Sequence, residues 1–145
     1  EEEVITRLSR VGYDHSIGYL KGGFASWKAA GKEVESVKRL TATEFAPQSS
    51  DTAIVIDIRK KSEYDSEHLV GAINVPLNEI NQHLDQFPKD KNFVLYCAGG
   101  YRSMIASSIL KQRGWDNFSD IIGGFGELAK TDLPKTAYVC PSTLL

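Results

Sequence analysis

Asn92-Phe93-Val94-Leu95-Tyr96-Cys97-Ala98-Gly99-Gly100-Tyr101-Arg102-Ser103 is a short apolar run that ends in a cysteine, then a glycine pair, an arginine and a serine. The residues that follow, Met104 to Gln112, are helix-compatible. The stretch predicts a strand, a tight loop and a helix N-terminus. Such a loop turns successive backbone N–H groups toward one point, with the positive end of the helix dipole behind them. A thiol facing that point has a lowered pKa and is partly thiolate near neutral pH. A lone apolar cysteine is more often a small hydrophobe. Cys97, however, stands at the exit of the run, and Gly99 and Gly100 permit close backbone approach beside it. Arg102 adds a permanent positive charge and Ser103 a hydroxyl at the helix start.

The flanking sequence repeats this strand-to-helix pattern. Ala53-Ile54-Val55-Ile56-Asp57-Ile58-Arg59 is a nearly continuous β-branched run, expected as a buried parallel strand. Residues 35–40 lead into an earlier strand, Ala72 to Val75 is a short one stopped by Pro76, and Phe118 to Ile122 is the last. Between them, Thr41-Ala42-Thr43-Glu44 has a capping-box pattern before a short helix that ends near Pro47. Gln48 to Asp51 reads as polar loop, and Lys60 to Glu67 as a charged helix. Leu77, Ile80, Leu84 and Phe87 mark one face of a helix ended by Pro88, and Ile105, Ile109 and Leu110 the core face of the helix after Cys97. This alternation predicts an α/β domain over residues 35–133, with a mainly parallel sheet and right-handed crossovers. Ligands bind such sheets at the carboxyl ends of strands, where Cys97 stands.

The first 34 residues echo the end of that domain. Arg10-Val11-Gly12-Tyr13-Asp14 resembles Gln112-Arg113-Gly114-Trp115-Asp116, and Gly22-Gly23-Phe24 resembles Gly123-Gly124-Phe125. Both sections run helix, glycine, aromatic, Asp, strand (Ile17 to Leu20 in the first), Gly-Gly-Phe, short helix (Phe24 to Ala30). The offset of about 102 residues is that of a repeated domain. Residues 1–34 are therefore expected to be the latter half of a preceding copy, and 134–145 a tail. Tyr19, Leu20, Phe24 and Trp27 would then need cover from the complete domain or a second chain, which makes a homodimer one expectation.

Composition excludes several classes. With 145 residues, 41% apolar and 25% charged, the chain has room for one domain and part of another. A net charge of −2 argues for neither nucleic acid nor an anionic membrane as partner, and no apolar run reaches transmembrane length. Cys97 and Cys140 make no disulfide framework, so a reducing compartment, the cytoplasm, is expected. Cys140 reads as a passive thiol. His15 and His83 lack metal-ligand spacing with either cysteine, and no metal or cofactor is expected. The start at Glu1-Glu2-Glu3 suggests a fragment whose parent carries a further N-terminal domain.

Cys97-Ala98-Gly99-Gly100-Tyr101-Arg102-Ser103 resembles the active-site loop of the rhodanese family of sulfurtransferases. Val55-Ile56-Asp57-Ile58-Arg59 with Glu63-Tyr64 resembles the family's Asp-x-Arg strand end and following Glu-aromatic pair. His68-Leu69-Val70-Gly71-Ala72-Ile73-Asn74-Val75-Pro76 and Gly123-Gly124-Phe125 resemble two further motifs, although Leu128 stands where a tryptophan is frequent and Trp27 holds that place in the first copy. The resemblance covers about residues 36–133. It implies a three-layer α/β domain with a central sheet of about five strands, and a cysteine that carries sulfane sulfur as a persulfide. Cys97 matches that nucleophile, Ala98 to Ser103 the substrate-binding cradle, and Arg102 the loop-closing residue.

Three side-chain roles are expected around this loop. Arg59 pairs with Glu63, and Asp57 ties the strand end to neighbouring backbone, so all three act as structural support. His68 is not needed as a base for a thiolate the loop already stabilises. The expected reaction moves sulfur from a small-molecule persulfide or thiosulfate to a thiol or other nucleophile. Ala98 stands where some thiosulfate-using members carry a second basic residue, which leaves the donor open. Four residues lie between Cys97 and Arg102, one fewer than in related phosphatases, so the smaller loop favours sulfur over a phosphoryl group. The alternative is a non-catalytic interaction or sulfur-relay module. The tandem arrangement also resembles the carboxyl-terminal part of proteins that fuse a metallo-β-lactamase-like, persulfide-oxidising domain to rhodanese domains.

Overall fold

Five short parallel strands form one sheet in the computed structural model of the chain, which describes residues 1–10, 12, 14–48 and 53–140. In chain order they are β1 (Lys38–Leu40), β2 (Ile54–Asp57), β3 (Ile73–Asn74), β4 (Phe93–Tyr96) and β5 (Phe118–Ile121). In space they run β1-β5-β4-β2-β3. The register places Asp57 beside Tyr96, Leu95 beside Asp120, and Asp120 beside Arg39. The α-helices are α1 (Glu2–Ser9), α2 (Gly23–Ala29), α3 (Ala42–Phe45), α4 (Lys61–Ser66), α5 (Tyr101–Gln112) and α6 (Gly124–Leu128). The chain divides into two compact units, Glu1–Ser36 with α1 and α2, and Val37–Leu145 with the sheet. No described helix is long and apolar enough to cross a membrane.

The sheet has helices and a buried cluster on each face, giving the three-layer α/β architecture. Side chains alternate along a strand. Phe93, Leu95 and Cys97 of the β4 stretch therefore join Ile56, Ile58, Phe118, Ala106 and Leu110 in one cluster. Tyr96 joins Val55, Ile121, Phe45 and Leu128 in the other. β4 is hydrogen-bonded on both edges and covered on both faces, which is why its sequence reads as an unbroken apolar run.

Several local expectations are corrected. Ile17 to Leu20 forms no strand, because a strand needs a neighbour for its N–H and C=O groups and the first unit's described residues contain none. Leu77 to Phe87 is not one α-helix but two 3₁₀ segments, Leu77–Gln82 and Leu84–Gln86. The apolar pairs Leu77/Ile80 and Leu84/Phe87 are each three apart, which suits the tighter 3₁₀ turn in the short span between Pro76 and Pro88. On α5 the buried stripe is Ser103, Ala106, Ser107 and Leu110, and Ile105 is exposed. Small residues let this helix lie close to the sheet, and Ser107 satisfies its hydroxyl on the Ser103 carbonyl at 2.8 Å. Thr41 and Glu44 do form a capping box on α3. Of the polar loop after α3, Ser49 to Asp51 lie outside the described residues.

Candidate active site

Strand alternation carries Cys97 to the α5 face at the carboxyl end of β4, where only 1% of the residue is exposed. Gly100 turns the chain with φ +92°, a left-handed conformation that glycine adopts without steric cost, and opens α5. Its N–H donates to Cys97 Sγ at 3.1 Å. The peptide carbonyls of the loop face the other way. Those of Cys97 and Ala98 accept from the N–H groups of Phe125 (2.6 Å) and Gly126 (3.1 Å) in α6. Since the N–H and C=O of a peptide unit point in opposite directions, anchoring these two carbonyls on α6 turns the N–H groups of Ala98 and Gly99 away from α6. Gly123-Gly124-Phe125 thus acts on the site through backbone alone, and Gly124 has φ +56° at this contact.

Burial pushes the Cys97 thiol up. The Ser103 hydroxyl and N–H, and the N–H groups of Gly100 and Gly99, more than offset this and hold its pKa below the ordinary thiol value. Ala98, Gly99 and Tyr101 are exposed, Tyr101 by 80%, so they form the rim, while Gly100 and Ser103 lie beneath it.

Arg102 grips Glu63 of α4 through two bonds, of 2.6 and 2.8 Å. The pair ties the start of α5 to α4 across the mouth of the site. Hydrogen bonding to Arg102 holds the Glu63 carboxyl below the usual carboxylate range, against the opposing effect of its partial burial. This stabilisation is present above the unfolded carboxyl pKa of about 4.3 and is lost as pH falls through the lower folded value. Glu63→Gln is expected to cost about 1 kcal/mol near neutral pH, as a bidentate but half-exposed pair. In urea titrations across pH the gap from the unmutated chain should close on acidification.

The expected Arg59–Glu63 pair does not form. Arg59 turns back on its own strand end, with Nε 2.9–3.0 Å from both Asp57 carboxylate oxygens and Nη2 2.6 Å from Oδ2. A further bond runs from Nη2 to the Glu67 carbonyl at 2.7 Å. The guanidinium lies 4.1 Å from the Phe125 ring centre, so it is sealed under α6 while Glu63, on α4, faces the Cys97 loop. Asp57 Oδ1 also accepts from the Arg59 N–H at 2.8 Å. Asn74 Nδ2 joins the carbonyls of Asp57 and Arg59, closing β2 onto β3. His68 is stacked on Tyr64 with Nδ1 2.6 Å from the Tyr64 carbonyl, and Cys140 is exposed on the tail.

Two residues that the sequence reading passed over lie below the loop. Asp120 of β5 is fully buried on the Cys97 face, and Arg39 of β1 donates to its Oδ2 at 3.0 Å. The legible signal was a carboxylate inside the apolar run Phe118-Ser119-Asp120-Ile121.

Known proteins resemble this chain in sequence and fold. The uncharacterized protein YqhL of Bacillus subtilis is 34% identical over 89 residues, 61% of this chain and 70% of that protein. A sulfurtransferase of Allochromatium vinosum is 28% identical over 103 residues, 70% of this chain and 96% of that protein. The crystal structure of a rhodanese-related protein from Thermoplasma volcanium superposes with TM-score 0.61 and 25% identity, covering 68% of this chain and 97% of the other. Residues 41–131, which span all of the site but Arg39, match the Rhodanese-like domain, and the chain belongs to that family.

Proposed function

We propose that this domain is a sulfurtransferase that carries sulfane sulfur on Cys97. One observation bears most of the weight: a buried sulfur with a lowered pKa, to which the Gly100 N–H donates, in a loop whose Cys97 and Ala98 carbonyls are anchored on α6. In this reading the Cys97 thiolate attacks the outer sulfur of a donor R–S–S⁻. The Cys97–S bond forms, the donor S–S bond breaks, and R–S⁻ leaves. The resulting Cys97–S–S⁻ is attacked at its outer sulfur by an acceptor thiolate, which restores Cys97–S⁻. Covalent catalysis splits one transfer into two displacements. The charge stays on sulfur throughout, so the same N–H groups can stabilise thiolate and persulfide.

The loop's arginine is engaged with Glu63, and Ala98 brings no second charge. This favours a low-molecular-weight persulfide over thiosulfate as donor, since a sulfonate would enter without a free cation from the loop. The sulfurtransferase name of the Allochromatium vinosum relative supports transfer chemistry. The resemblance to metallo-β-lactamase/rhodanese fusions supports a persulfide-oxidising partner domain as the exchange partner of Cys97. Incubation with glutathione persulfide should add one sulfur atom to the chain by intact-protein mass spectrometry, and Cys97→Ala should abolish the addition. An unmodified wild-type chain after exposure to both persulfide and thiosulfate would overturn the reading. A relay module would load in the same way but show no turnover with free thiols.

A further inference from the structure

Cys97, Ser103, Asp120 and Arg39 form a file from the loop into the sheet. Ser103 Oγ and Asp120 Oδ1 are both fully buried, and neither makes a hydrogen bond of full geometry. Buried polar atoms without partners are uncommon and call for a physical reason. The Ser103 hydroxyl nevertheless bears on both the Cys97 thiol and the Asp120 carboxyl, lowering the pKa of each. Asp120 Oδ2 is occupied by Arg39, so Oδ1 is the oxygen left open. Arg39 is itself placed close under the loop, its Nη2 3.6 Å from where a Cβ on Gly100 would stand.

We infer that Asp120 is a buried proton store for Cys97, reached through the Ser103 hydroxyl. The Cys97 S–H bond breaks and its proton passes to Ser103 Oγ, while the Ser103 proton moves to Asp120 Oδ1. The products are Cys97 thiolate, an intact serine and a neutral carboxylic acid. Nothing is oxidised or reduced, and no proton crosses the rim. The protonated carboxyl then donates to Ser103, and Ser103 donates to the thiolate. With Asp120 ionised, the serine instead donates to the carboxylate and the thiol keeps its proton. Asp120 never touches the donor, so it is a positioning residue rather than a catalytic one.

The surroundings suit this exchange. Burial raises the Asp120 pKa, outweighing the hydrogen bonds from Ser103 and Arg39 that lower it. The thiol pKa is lowered, so the two approach one another. The charged groups facing the file are Arg39 from β1 and, on the sulfur side, Arg102 from α5, whose charge is balanced by Glu63 of α4. Two groups that exchange one proton through a shared hydroxyl titrate as a pair, in two macroscopic steps.

The inference rests on Cys97 being the reactive thiol but can be tested without sulfur transfer. In the full chain, carboxyl-carbon NMR should show Asp120 titrating in two steps, above the ordinary carboxylate range, and Cys97→Ala should reduce this to one step. The rate of Cys97 alkylation by iodoacetamide should rise with pH in two steps separated by a plateau. Asp120→Asn, close in shape to the neutral acid, should lose the plateau and rise once. A single Asp120 step in the ordinary range that Cys97→Ala leaves unmoved would overturn the inference. Because that NMR comparison needs no change at Asp120, poor folding of Asp120→Asn does not decide it. Two-step titrations in a chain that takes up no sulfur would uphold the proton store and count against the sulfurtransferase reading alone.

Discussion

Gly124→Ala should be among the most damaging single-methyl changes in the domain, lowering stability and disordering the Cys97 loop together. A Cβ at this position would overlap the Cys97 carbonyl oxygen and lie 2.9 Å from its carbon and 3.0 Å from the Ala98 carbonyl carbon. These are backbone atoms, which cannot rotate aside. The left-handed backbone of a non-glycine residue costs roughly 1–2 kcal/mol, and overpacking a tight contact adds about 1–3 kcal/mol. A combined loss of about 2–5 kcal/mol should appear as a lower urea midpoint with an unchanged slope. The same change pushes α6 off the carbonyls of Cys97 and Ala98 and frees those peptides to rotate. The Cys97 pKa should therefore rise, read as slower alkylation at neutral pH, even under conditions where the variant stays folded.

Asp57→Ala is expected to cost about 3–5 kcal/mol, the usual penalty for removing one partner of a buried ion pair. Asp57 is fully buried and the Arg59 side chain is 5% exposed, so the alanine variant strands a guanidinium with only the Glu67 carbonyl as acceptor. Water cannot easily re-solvate it under the Phe125 ring. Replacing both residues, as Asp57→Leu with Arg59→Met, removes the stranded charge and should cost less than Asp57→Ala. Urea denaturation of the single and double variants measures the difference. A double variant worse than the single one would mean that the Arg59 bond to the Glu67 carbonyl, not the ion pair, holds this strand end.

The parts of this fold legible from sequence were those decided by local period. An unbroken β-branched run such as Val55-Ile56 could only be buried on both faces, and Phe93 to Tyr96 led straight to a cysteine at a strand's carboxyl end. Thr41 and Glu44 are three residues apart, so their capping box needed no distant partner. Where period was ambiguous, the reading failed. Leu77, Ile80, Leu84 and Phe87 fit 3₁₀ turns as well as an α-helix, and Ile105 fell outside a stripe made chiefly of serine and alanine.

For the site, the residues themselves singled out Cys97, the loop around it and the need for glycine. These follow from a cysteine at a strand exit, the peptide's paired N–H and C=O, and the backbone freedom of Gly99 and Gly100. The partners of the charged groups were decided only by tertiary structure. Arg59 could reach Asp57 or Glu63 along the chain, and burial under α6 selected Asp57. Glu63 and Arg102 are 39 residues apart, and Arg39 and Asp120 are 81 apart. Each pair meets because parallel crossovers bring the ends of different strands and helices to one edge of the sheet. A charge's partner depends on which elements the chain folds together, and hydrophobic period carries no record of that.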